Sequence, residues 1–169
     1  ESQALVEKGH QVSVITQPDS PLAKKCRDFR HSKFAVYPIS MSASWNLFDF
    51  WSIYRMVKRI RPDILHTHSS IDSWLFSMCG KALGIPIVRS RHVSIPVKNY
   101  FPKNAVYSYF PDKIIASGET IRLMMAEISG VKSADTYSIP AGVDMKRFDF
   151  NISPKKFREE IQIDPDQPL

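Results

Sequence analysis

Asp63-Ile-Leu-His-Thr-His-Ser-Ser-Ile-Asp-Ser-Trp74, running on to Ile87-Val-Arg-Ser-Arg-His92, reads as strand, polar loop, helix, strand and a second polar loop. A histidine stands just past each strand end. The carboxyl ends of parallel strands line the ligand crevice of an open α/β sheet, so both loops are expected to open onto one cleft.

The rest of the chain repeats this rhythm. Gln11 to Thr16, Phe34 to Ile39, Lys113 to Ser117 and Thr136 to Ile139 are short apolar runs of strand length. Between them, Asn46 to Ile60 carries Leu47, Trp51, Tyr54 and Val57 at helical spacing, and Ile71 to Leu83 carries Leu75, Met78, Cys79 and Ala82. Gly84 then Pro86 marks a helix stop and a strand entry. Strands and helices alternating in this way predict an α/β fold, a doubly wound, mostly parallel sheet covered by helices on both faces.

Composition narrows the class. At 169 residues, 43% hydrophobic and 24% charged, the chain suits one globular domain with its own core. A net charge of +6 favours anionic partners such as phosphate groups, nucleic acid or acidic lipid. The basic residues are scattered and no nucleic-acid motif accompanies them, which argues against nucleic acid. Cys26 and Cys79 have no close spacing and read as reduced thiols of a cytoplasmic protein. No apolar run approaches the roughly 20 residues of a membrane helix. The six glycines never form G-x-G-x-x-G, and no Walker lysine motif occurs, so dehydrogenase and ATPase readings lose support.

Glu1 to His10 looks like the end of a helix capped by Gly9, ahead of the strand at Gln11; a βαβ unit needs a strand before that helix. At the other end Pro154 to Ile161 reads as a helix start, and Asp164 to Pro168 leads towards a further strand. The expectation is a fragment of a longer protein, cut at both ends.

The ordered set of these features resembles the N-terminal domain of the family 4 retaining glycosyltransferases. Gly9-His10-Gln-Val-Ser-Val is similar to the family's Gly-His-x-Val strand entry, and Ile139-Pro-Ala-Gly-Val-Asp144 to its Ile-Pro-Asn-Gly-Val-Asp signature, with Ala141 in place of the asparagine. The resemblance implies a Rossmann-like, acceptor-side half of a two-domain GT-B enzyme over residues 1–150, with residues 151–169 opening the donor-binding domain. The missing first strand would then lie between the Gln11 and Asp63 strands.

The same resemblance implies a nucleotide-sugar donor, a glycan or lipid-linked acceptor of cell-envelope, lipopolysaccharide or polysaccharide assembly, no cofactor and no protein nucleophile. It places His68 at the reaction centre, orienting the donor sugar. His92 matches a second strand-end position, and Arg89 and Arg91 are candidates to clamp an acceptor phosphate or carboxylate. In a strand Arg89 and Arg91 share one face and Ser90 and His92 the other, so both pairs cannot face the cleft while the strand continues. Asp72 is a candidate sugar contact, Glu119 a candidate substrate contact.

Simpler readings stand beside these. A strand-end histidine such as His66 can be satisfied structurally. Asp72, Ser117 and Glu119 fit helix N-termini, through capping and the favourable placement of a carboxylate there. Arg89 and Arg91 could be a solvated strand end. His66 and His68 find no third ligand of sensible spacing, so no metal is expected. Glu119 and Glu127 imitate the family's donor-binding glutamate pair, but they stand on an ordinary amphipathic helix. Two alternatives stay open: a sugar-nucleotide epimerase of the same architecture, and a non-catalytic nucleotide- or ligand-binding domain.

Two aromatic and basic segments bear on membranes. In Ser44 to Arg61 the stripe of Leu47, Trp51, Tyr54 and Val57 is expected to be core. Val97 to Phe110, interrupted by Pro102 and carrying Lys98 and Lys103, is the candidate for an exposed acceptor-side surface that docks on an anionic membrane.

Overall fold

The computed structural model describes residues 1–42, 46–143, 145, 158–159 and 162–164. The expected alternation of strands and helices is present. In chain order the elements are α1 (Ser2–Glu7), β1 (Val12–Thr16), α2 (Pro21–Asp28), β2 (Phe34–Pro38), α3 (Leu47–Ile60), β3 (Leu65–Thr67), α4 (Ser70–Leu83), β4 (Ile87–Arg91), α5 (Ala105–Ser108), β5 (Lys113–Ala116), α6 (Glu119–Ala126) and β6 (Thr136–Ser138). Trp45, Asp144, the expected domain boundary at residue 150 and most of the expected helix from Pro154 to Ile161 lie outside the described residues.

Every described pairing is parallel, as helix-length connections between successive strands require. The strands form two groups, β1 with β2 and a four-stranded sheet in the order β3-β4-β5-β6. The expected continuous sheet is therefore in two pieces among the described residues.

Side-chain alternation assigns the faces of the second sheet. Leu65 and Ile87 are paired in register and belong to one core with Leu75, Phe76 and Cys79 of α4. Gly80 permits this contact: a Cβ there would stand 2.8 Å from Cδ1 of Ile87. His66 points to the opposite face, where its ring meets Glu1 at the start of α1. Burial pushes the Cys79 thiol up to about 12, and neither Cys79 nor Cys26 is in a disulfide.

Local signals set the ends of the site-bearing helix. Ser69 accepts the Asp72 amide at 3.4 Å while the Asp72 carboxylate accepts the Ser69 amide at 2.8 Å, a reciprocal cap. Gly84 closes α4 at φ +68, a left-handed backbone that glycine adopts without a Cβ penalty. By contrast α6 opens on Gly118, and Ser117 provides no side-chain cap.

Two expectations about the aromatic segments need correction. On α3 the stripe that packs inward is Ile53, Met56 and Val57, flanked by Phe50, Tyr54 and Ile60, whereas Leu47 and Trp51 are 71% and 55% exposed. The helix is apolar on more than one side and can seat only one against α4 and the sheet. The side whose residues continue into Leu65, Leu75 and Cys79 is the one buried. Segment 97–110 is divided: Val106 and Tyr107 are buried and Val97 and Phe110 pack on them, while Tyr100, Phe101 and Tyr109 are exposed. Among the described residues no helix is long and apolar enough to cross a membrane.

Candidate functional site

The site gathers at the carboxyl ends of β3 and β4. His66 and Ser90 come from neighbouring strands and point to the same face, and His66 Nε2 lies 2.7 Å from Ser90 Oγ. One step beyond the strand ends, His68 Nδ1 lies 3.0 Å from His92 Nε2, with the two rings stacked at 5.4 Å between centroids. The rings of His66 and His68 are 4.2 Å apart. Glu1 completes the cluster, with Oε1 3.2 Å from His66 Nδ1.

Crowding sets the protonation of these rings. Partial desolvation holds both His66 and His68 below the ordinary imidazole value; at His66 the Glu1 charge opposes this, and at His68 the neighbouring His66 adds to it. Both are neutral at neutral pH. The His68 to His92 hydrogen bond then needs one N–H donor and one bare nitrogen, which two neutral imidazoles supply and two imidazolium ions do not.

A pH dependence of stability follows. Because the folded-state values of His66 and His68 lie below the unfolded value of 6.5, the unfolded chain takes up protons first as pH falls. This contribution is complete above pH 6.5 and shrinks as pH drops through that value towards the folded-state pKa. Thermal unfolding midpoints are expected to decline between about pH 7.5 and 5 and to decline less in His66→Gln and His68→Gln variants. Equal slopes in wild type and variants would show that other groups set the acid sensitivity.

The opposite face of β4 carries a second constellation. Arg89 is 2% exposed; its Nη1 donates to the Ser69 carbonyl at 2.7 Å and its Nη2 to the Tyr107 hydroxyl at 3.2 Å. Arg91 donates to the same hydroxyl through Nη1 at 3.0 Å and to the Ile95 carbonyl through Nη2 at 2.6 Å. Both guanidinium groups also lie over the Tyr107 ring, at 5.2 and 5.7 Å from its centroid. One phenol thus ties together two arginines, each gripping the loop that follows a different strand.

The candidate residues fall into separate groups. His68 and His92 are together. Asp72 stands beside them, but its carboxylate accepts the amides of His68 and Ser69 at 3.1 and 2.8 Å and lies 3.8 Å from Arg89. Arg89 and Arg91 occupy the face away from the histidines, as strand alternation requires when β4 runs through Arg91. The expected clamp on an acceptor anion therefore meets an Arg89 that is buried and bound to the protein's own backbone. Glu119 is at the start of α6, held by Arg122 in contacts of 2.6 to 2.9 Å that lower its pKa.

Two participants were not singled out from the sequence. Glu1 brings its carboxylate close enough that Glu1, His66 and His68 offer metal-capable atoms within 4.8 Å of one another, a third ligand that local spacing did not supply. Tyr107 lies in a short helix whose sequence carries no period. Ser90 was placed on the His92 face by alternation, and the same rule would have paired it with His66.

The parallel α/β architecture of this chain matches one half of the GT-B glycosyltransferase fold. The profile of glycosyltransferase family 4 matches residues 1–147, and the chain belongs to that family. A glycosyltransferase from Rickettsia africae ESF-5 superposes with a TM-score of 0.78 at 21% identity, over 99% of this chain and 45% of that one. Anabaena HepE in complex with UDP gives 0.64 at 13% identity, over 89% and 42%, and Acinetobacter baumannii MurG gives 0.57 at 16%, over 84% and 40%. The chain spans less than half the length of each of these proteins. A comparison with curated protein sequences finds no match.

Proposed function

We propose that the chain forms the acceptor-side half of a retaining glycosyltransferase that moves a sugar from a nucleotide-sugar donor to a glycan or lipid-linked acceptor at the cytoplasmic face of the membrane. The observation that carries this reading is the hydrogen-bonded, stacked pair of His68 and His92 at the ends of two adjacent strands, in a chain of glycosyltransferase family 4. With Nδ1 engaged by His92, His68 has Nε2 left to meet a sugar hydroxyl, and the stacked partner fixes the ring plane. Such a pair positions the donor ring and performs no covalent chemistry.

The donor diphosphate and base would be held by the second domain, which residues beyond 150 are proposed to open. Solved HepE structures hold UDP and UDP-glucose, so uridine nucleotides are the first donors to offer. The test incubates the whole protein with a panel of nucleotide-sugars, with and without membrane extract as the acceptor source. Release of nucleoside diphosphate that depends on the extract is expected. Conversion of a nucleotide-sugar into an isomer without any acceptor would replace the transferase reading by the epimerase one. Residues 1–169 alone are expected to be inactive, and transfer by them would overturn the two-domain assignment.

A further inference from the structure

The side of α3 that faces away from the core is apolar at its start and basic at its end. Leu47, Phe48 and Trp51 are 71%, 86% and 55% exposed, and Arg55, Lys58 and Arg59 are exposed one to three turns further on. At 100° per residue these six side chains fall within about a third of the helix circumference. No acidic residue shares that sector; the acidic residue of α3, Asp49, lies on another side and accepts hydrogen bonds from Ser42.

An open groove of about 840 Å³ runs between α3 and the end of β2, its lining including Tyr37, Ile39, Phe48, Trp51, Arg55 and Arg59. Exposing three large apolar side chains side by side is unfavourable unless something covers them. The cover must accept aromatic rings at one end and cations at the other. An interface of anionic phospholipid does both: rings settle at headgroup depth, and each lysine or arginine close to the surface gains attraction to it.

We propose that α3 is a membrane-docking helix, seated on an anionic phospholipid surface with Leu47, Phe48 and Trp51 inserted at headgroup depth and Arg55, Lys58 and Arg59 over the lipid phosphates. The α3 side keeps both its apolar start and its basic end exposed. Segment 97–110, the surface expected from sequence, uses Val97, Val106, Tyr107 and Phe110 in the core. The proposal uses none of the histidine site, so it stands or falls separately from the transferase reading.

The experiment is co-sedimentation of the whole protein with phosphatidylglycerol-containing vesicles at low and high salt, alongside vesicles of phosphatidylcholine alone. Wild type is expected to bind the anionic vesicles, more weakly at high salt, and to leave the neutral ones. R55E/R59E is expected to lose roughly thirtyfold in affinity at low salt, at about fivefold for each attraction removed. F48S/W51S is expected to weaken binding at both salt concentrations, and K98E/K103E, equal in charge change to R55E/R59E, to bind as wild type does. All four substituted positions of α3 are exposed, and unchanged circular dichroism and melting temperatures verify that the variants fold.

Absence of vesicle binding at low salt overturns the proposal, as does equal binding to neutral vesicles. A loss in K98E/K103E matching that of R55E/R59E would also overturn it, because bulk charge would then account for the attraction. So would a concentration-dependent dimer abolished by F48S/W51S in a protein that ignores vesicles, since a second copy would then be the cover.

Discussion

His68→Ala in the whole enzyme is expected to slow turnover roughly a hundredfold while the fold is retained, the scale of loss when a reacting group is misplaced by about an ångström. The side chain lies just past β3, outside the buried core, and its removal leaves the cap of α4 intact because the His68 amide, not the ring, binds Asp72. The loss should appear in kcat with little change in the donor KM if the contact tightens as the sugar moves towards the transition state. His66→Ala should behave differently. Its ring is fixed by Ser90 and Glu1, so its removal is expected to lower the melting temperature more than the turnover. Wild-type kcat in a well-folded His68→Ala enzyme would remove that residue from the reaction centre, whereas equal kcat losses in both variants would make the cluster a structural unit.

The geometry that lets one histidine matter more than its neighbour was partly readable in the chain. The two strand-end loops, their parallel pairing and the caps of α4 depend on features within a few residues of one another: a period of two, a period of 3.6, a Ser-x-x-Asp box and a glycine stop. Strand alternation also put Arg89 and Arg91 on the side opposite Ser90. Two things depended on partners distant in sequence. Which side of α3 faces inward was decided by what α4 and β3 present to it, and the spacing of Leu47, Trp51 and Tyr54 fitted a helix without identifying the buried side. Helix α2 has a capping serine followed by proline but a short and strongly polar sequence, so no apolar period announced it. The role of Tyr107 depends on arginines 16 and 18 residues earlier in the chain, a separation at which no local pattern speaks.

That phenol gives the second large expectation. The Tyr107 hydroxyl accepts from both guanidinium groups, that of buried Arg89 and that of half-buried Arg91, while Arg89 reaches the Ser69 carbonyl next to His68 and Arg91 reaches the Ile95 carbonyl three residues beyond His92. The clamp therefore fixes both histidine loops from beneath the sheet. Tyr107→Phe keeps the ring under the two cations but leaves two N–H groups without an acceptor, and the Nε atoms of both arginines are already buried without one. The expected destabilisation is about 2–3 kcal/mol, the upper part of the range for a lost buried acceptor because the donors are charged. Arg89→Lys should be no milder, since a single ammonium cannot span the Ser69 carbonyl and the phenol as the planar fork does. A merely structural role would lower stability and leave the surviving folded enzyme unchanged. A positioning role adds a second effect: at a temperature where both variants are fully folded, kcat should drop and the ring-proton resonances of His68 and His92 should shift, because the loops that hold them 3.0 Å apart are no longer tied to one hydroxyl. Unshifted histidine resonances together with wild-type kcat in folded Tyr107→Phe would confine the clamp to stability.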